Sequence, residues 1–385
     1  MKKSLALITL FLFSNMAKAS YEDHFPTYFE YCTGSRWKLQ NGEEGGKPGH
    51  GFTYIHGLCK DYRSSYPQVI PCSAVSLELK EKYPHDGVGI SLDKNFSNVM
   101  WVAVPGRDFT FFGDITTPRF TTEDDVKNVI QKALDLKIFN DVVHKGEVPQ
   151  ALPFNSPEYL EAVADATLGT EYAVNWAREL HCVKIPVKEE TLPAVAKFLN
   201  ESNNQFKSGP GYEWDKITNN CAHLSINTSH VMGINKPIKI GESGIKKFLN
   251  MALPSNTFMM YADLAVVRAR PSLKSLKQAI HKFDYTPVQV GSLITHYPAF
   301  PSGEKFMTDD LSVLTAPRVK KPLKLLMNPE KYERYMTPKN SLLSANAQSW
   351  KTHYEKLLSR LRPGQEKLAK YLTDQLELIE SMLYE

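Results

Sequence analysis

Tyr212-Glu213-Trp214-Asp215-Lys216-Ile217-Thr218-Asn219-Asn220-Cys221-Ala222-His223-Leu224 is the stretch on which the reading of this chain turns. A polar turn ends in two asparagines and gives way to a run that holds helical character to Met232, where Gly233 supplies a left-handed stop. Asn219 or Asn220 is the cap, so Cys221 falls in the first turn of a helix. A thiol there faces the positive end of the helix dipole and free backbone N–H groups, which favour thiolate. The same N–H groups, helped by Asn219 and Asn220, can hold the oxyanion formed when a thiolate attacks an acyl carbonyl. The competing reading makes Cys221 a small residue that packs the helix start.

A cysteine nucleophile needs a base. His50 stands in Pro48-Gly49-His50-Gly51-Phe52-Thr53-Tyr54-Ile55, where glycines on both sides allow close approach and a strand holds the ring. His56 lies about 20 Å further along that strand. His85 opens His85-Asp86-Gly87-Val88-Gly89-Ile90, a strand that can run beside the first, and His85 is the candidate to orient the imidazole. His181 reads as a structural residue at a helix-to-strand turn. His223 points to another side of the Cys221 helix, and His223 with His230, seven apart, lacks the carboxylate or cysteine partners of a metal site.

The 385 residues carry five cysteines, Cys32, Cys59, Cys72, Cys182 and Cys221. The first residues place Met1-Lys2-Lys3 before an apolar run from Leu5 to Phe13 and then Ala17-Lys18-Ala19, the order of a secretory signal cleaved after Ala19. That run falls short of the roughly 20 apolar residues of a membrane span. Export to the periplasm or beyond permits disulfides, so four cysteines can pair and one is left over. Cys59 with Cys72 would close a short loop and Cys32 with Cys182 would join distant segments, although spacing alone leaves the connectivity open. Removal of Lys2, Lys3 and Lys18 reduces the net charge from +4 to +1, which argues against nucleic acid as partner. The cluster Arg318-Val319-Lys320-Lys321-Pro322-Leu323-Lys324 reads as solvated surface, and Gly45-Gly46-Lys47 fails as a phosphate loop because Pro48 replaces the metal-holding hydroxyl.

With 42% apolar and 23% charged residues the chain is globular in composition, and its length suits two domains. Val88 to Leu92 and Val99 to Val104 read as strands. Thr122 and Asp125 form a capping box for a helix to about Phe139, and Ser156-Pro157 opens another that runs past Gly169 toward Leu180. Val183, Ile185 and Val187 alternate as a strand, followed by a helix through Leu192, Val195, Ala196 and Leu199. Residues 285–338 read as loops. Leu342 to Leu361 and Glu366 to Leu383 predict a helical hairpin whose stripe of Leu368, Leu372, Leu376, Ile379 and Leu383 docks on the protein's own surface.

The Asn-Asn-Cys helix start, the strand and helix after His181, and the upstream Gly49-His50-Gly51-Phe52 together resemble the circularly permuted papain-like superfamily. This is the group of NlpC-type cell-wall peptidases and lecithin:retinol acyltransferase, and the likeness is nearest to a bacterial exported group, the domain-of-unknown-function family 4105. It covers mainly residues 45–235; residues 105–155 and the tail after 255 have no counterpart. The resemblance implies an α+β fold in which a small antiparallel sheet packs on the Cys221 helix, with Cys221 as nucleophile, His50 as base and a third polar group unassigned. The expected organisation is a signal peptide over 1–19, the papain-like domain over 20–255 and a mainly helical region over 256–385. The implied activity is a thiol hydrolase or acyltransferase acting on amide or ester bonds of a peptide, cell-wall or lipid acyl substrate, with no cofactor and no metal. A non-catalytic binding protein on the same fold is the alternative. A zinc site from His50, His56, Cys59 and Cys72 is a third reading, disfavoured where Cys59 and Cys72 can oxidise to each other.

Overall fold

The computed structural model describes residues 20–38, 44–45, 50–115, 121–176, 178–215, 220–235, 254–267, 270–282, 290–298 and 335–384. The signal segment, Asn219, the basic stretch at 318–324 and most of 285–338 lie outside the described residues. The fold is α+β, centred on an antiparallel sheet with strand order β7-β6-β3-β1-β8-β9. These strands are β1 (Tyr28–Lys38), β3 (His50–His56), β6 (Gly87–Ser91), β7 (Val102–Pro105), β8 (Arg178–Pro186) and β9 (Leu293–Tyr297). The short β2 (Glu44–Gly45) adds to β1, while β4 (Leu58–Lys60) and β5 (Val69–Pro71) form a separate ribbon.

The helices are α1 (Tyr21–His24), α2 (Leu77–Lys82), α3 (Arg107–Phe112), α4 (Glu123–Asp135), α5 (Glu147–Gln150), α6 (Pro157–Thr167), α7 (Leu192–Lys207) and α8 (Cys221–Val231). After them come α9 (Pro254–Ala262), α10 (Leu273–Lys282), α11 (Pro338–Ser341), α12 (Leu343–Leu358) and α13 (Glu366–Tyr384). Period-two alternation divides the sheet into two faces. One face carries Phe29, Tyr31, Ile55, Ile90, Val183 and Ile185 and packs on α7, α8 and α9 through Val195, Leu199, Ile226, Phe258 and Tyr261. The other carries Cys32, Phe52, Tyr54, Leu180 and Cys182 against Phe111 of α3. A further core around Val102, Phe109, Val129, Ala133, Val163 and Trp176 binds α4 and α6 to the β7 side.

Two disulfides form. Cys32 and Cys182 are direct cross-strand partners on β1 and β8, and Cys59 joins Cys72 across the β4–β5 ribbon. Both thiols of the expected zinc alternative are thereby consumed, and Cys221 is the odd cysteine left free. No helix among the described residues is long and apolar enough to cross a membrane.

Local signals explain most element ends. Thr122 and Asp125 close a reciprocal capping box on α4, Ser156 caps α6 with Pro157 at its first turn, and Gly233 at φ +76° follows α8. The helix from Ser156 does not reach Leu180: it stops at Thr167, Gly169 turns at φ +72°, and β8 begins at Arg178. The stripe of α13 does dock internally, with Leu368, Leu372 and Ile379 buried against Trp350 and Tyr354 of α12 and against Phe25. Beyond residue 253, α9 joins the main core and β9 pairs with β8 along Leu180↔Tyr297 to Lys184↔Leu293.

Asn203 ties α7 to the start of β7. Its buried amide accepts from Met100 N at 2.8 Å and Trp101 N at 3.1 Å, and donates to Trp101 O at 3.0 Å and Pro67 O at 3.2 Å. Asn203→Ala strands four backbone groups, most of them buried, and is expected to cost about 2–4 kcal/mol of folding stability, read by urea unfolding. A loss below about 0.5 kcal/mol would mean that the site admits water in place of the amide.

Candidate active site

The position of Cys221 is set by how α8 lies on β3. The buried Thr53 hydroxyl donates to Ser225 Oγ at 2.7 Å, and Ser225 Oγ donates to the Cys221 carbonyl at 2.9 Å. One helical turn back from Ser225 and two strand residues back from Thr53 are nearly equal steps, about 6 Å and 6.6 Å. Cys221 therefore arrives at the level of Gly51. The backbone N–H groups of Gly51, Ala222 and Cys221 itself draw the thiol pKa down. A Cβ on residue 51 would lie 2.6 Å from Tyr31 Oη and 3.1 Å from Pro254 Cβ, so the close approach of strand, helix and α9 requires glycine there.

Asn220 is the cap. Its Oδ1 accepts from Ala222 N at 2.9 Å and His223 N at 3.2 Å, and lies 2.9 Å from His223 Nδ1. His223 thus turns back to lock the cap. Burial pushes the Cys221 thiol up to about 11, against the pull of the three N–H groups, and the sulfur rests as the thiol at neutral pH.

His50 occupies the next position on β3 and the opposite face of the sheet. Its ring stacks on Phe52 at 6.2 Å, and its Nε2 lies 3.3 Å from Ser91 Oγ, with the Thr170 carbonyl as a second acceptor. Burial, with the Arg178 guanidinium adding to it, pushes the imidazole down to about 3, so it is neutral. Directly across on β1 is Gly34, and Arg178 of β8 passes over it, its Nη1 3.7 Å from where a Cβ would stand. Arg178 is itself pushed down to about 9 by burial, while Glu171 draws it up. The buried Glu171 carboxyl is held well above the usual range by burial and by Asp93, opposed by the Ser91 hydroxyl and Arg178.

Cys221 and His50 therefore flank one end of β3 from opposite faces, on either side of the Gly51 backbone. His85 is not brought to this end. The pairing of His56 with Gly87 puts it beyond the other end of β3, about 26 Å along the strand direction from His50, with its Nδ1 against Gly106. The partners that hold the His50 ring are Ser91 and Thr170 instead. His56 stacks on Tyr28 at 5.1 Å and His230 Nδ1 lies 2.9 Å from Asn235 O, both away from the sulfur.

Ser91, Thr170, Glu171 and Arg178 escaped the sequence reading. Ser91 ends β6 with the parity that faces His50, which the strand pattern contains; Glu171 and Arg178 were hidden by the expectation of one helix through Gly169. Comparison of the chain with protein-family models, curated proteins and solved structures finds no match.

The depressed His50 carries a pH dependence. An imidazole that titrates near 6.5 in the unfolded chain and near 3 in the fold contributes stability that is complete above pH 6.5 and is lost as pH falls toward 3. The urea midpoint is expected to fall between pH 6.5 and 5 more steeply for the wild type than for His50→Gln. Parallel curves would place the His50 ring in solvent.

Proposed function

We propose that the protein is an exported thiol acyl-transfer enzyme, a hydrolase or acyltransferase of amide or ester bonds, on a permuted papain-like core. The observation that carries this reading is the free thiol at the first residue of α8, faced by three backbone N–H groups and preceded across Gly51 by a neutral imidazole. A peptide, cell-wall fragment or lipid acyl chain is the substrate class, and the two disulfides fit an oxidising compartment.

In this reading His50 turns about its side-chain torsions from Ser91 toward the sulfur. Leaving its buried site removes the desolvation that depresses it, and it takes the thiol proton as general base. The thiolate attacks the acyl carbonyl, and the N–H groups of Gly51, Cys221 and Ala222 receive the oxyanion. Collapse expels the amine or alcohol, to which the His50 imidazolium returns the proton, and leaves a thioester on Cys221. Water or a second nucleophile, deprotonated by His50, then releases the acyl group. Ser91 and Thr170 hold the ring between turnovers, and the charge of Arg178 helps keep it neutral there.

The raised thiol pKa favours one other reading, a binding protein on the same fold with Cys221 as packing. Incubation with p-nitrophenyl acetate and peptide mass mapping separate the two. The enzyme reading expects a single acetyl adduct on Cys221 and a release of p-nitrophenolate that Cys221→Ala reduces to background while its melting curve stays that of a folded protein. Equal release from Cys221→Ala and wild type would overturn it, and a wild type with no adduct on Cys221 would leave the binding reading.

A further inference from the structure

On the same sheet face as α8, three side chains from the last two strands converge. Glu179 and His181 are two apart on β8 and so share a face, and His296 of β9 is the direct cross-strand partner of His181. The imidazoles stack with centroids 4.8 Å apart and 21° between planes. Glu179 Oε1 lies 2.5 Å from His296 Nε2 and 4.0 Å from His181 Nε2, and the three ligand-type atoms all fall within 4.8 Å of one another. Phe258 of α9 meets the His181 ring edge-on at 6.0 Å and holds it in place.

We propose that Glu179, His181 and His296 bind one divalent transition-metal cation, with zinc the best match to two imidazoles and one carboxylate. Two stacked imidazoles cannot both carry a proton without direct repulsion, so at least one offers a lone pair beside the carboxylate. A tetrahedral zinc with ligands near 2.0–2.1 Å needs its donor atoms about 3.4 Å apart. Each distance on the page reaches that value by a shift of at most about 1.5 Å, within the range of side-chain rotation on fixed strands. Glu179 and His181 are half-buried and His296 is exposed, so the fourth position opens to solvent and would take water.

The site sits between β8 and a strand that arrives from the far side of the chain, so the cation clamps β9 to the sheet. By register His181 is level with Thr33 and Gly51, so a cation between β8 and β9 lies about two and a half strand spacings, at least about 12 Å, from the Gly51 backbone on the side of the Cys221 helix. The proposal does not depend on the acyl-transfer reading.

The test is isothermal titration of zinc into chelator-treated, untagged protein, alongside His296→Ala and Glu179→Gln. His296 is exposed, so its replacement removes only its stack on His181 and its contact with Glu179, and circular dichroism checks both variants. The expected result is one zinc per chain, a higher melting temperature with zinc, and affinity more than about tenfold weaker in each variant. Wild type without stoichiometric binding, or variants that bind as wild type does, would overturn the site.

Discussion

The hydrogen bond from Thr53 to Ser225 fixes the longitudinal setting of α8 on β3, and the candidate site depends on that setting. A helix slid by one residue would carry the Cys221 sulfur about 1.5 Å along the strand and off the Gly51 amide. Ser225 passes the constraint on by donating to the Cys221 carbonyl, so the residue that bears the thiol is tied to the strand through its own backbone. Both hydroxyls are buried, which makes the bond costly to break and hard for water to replace. Gly51 completes the arrangement by leaving room for Tyr31 and Pro254 where any side chain would clash.

Burial gives the site its resting chemistry. It holds Cys221 as thiol and His50 as neutral imidazole, whereas a helix start alone would favour thiolate. Desolvation wins over the three N–H groups because the dipole and hydrogen-bond contributions at one helix end are small beside the cost of a buried charge. Charge in this region is kept instead by Arg178, which remains protonated at neutral pH beside Glu171. On the proposed acyl-transfer reading such an arrangement holds the nucleophile in reserve. Reaction on that reading requires the imidazole to cross the end of β3, which links the chemistry to a side-chain motion.

How much of this could be read in advance depended on the range of the signal. Asn220, Cys221 and Gly233 announce helix α8 through caps that act within a few residues, and Ser156-Pro157 and Thr122 do the same for α6 and α4. The free cysteine was legible as an odd thiol and its helix-start context singled out Cys221, while the pairing of β1 with β8, which sets Cys32 against Cys182, closes the connectivity that spacing left open. The companions of His50 come from β6, the turn after α6 and β8, and non-local register decides which of them meet. His85 shows the same limit: a strand beside β3 was correctly anticipated, but its antiparallel register sends His85 to the far end and Ser91 to the near one. The convergence of His181 and His296 across 115 residues of chain is likewise a product of register alone.

The claim at the centre of this account is that His50 serves Cys221 although its ring rests on the other face of the sheet. The direct measurement is the rate of Cys221 alkylation by iodoacetamide from pH 5 to 11 in wild type and in His50→Gln. A serving imidazole predicts that labelling near pH 7 drops by about tenfold or more in His50→Gln, with the two curves converging as the thiol ionises unaided near 11. Superimposable curves over the whole range would contradict the account.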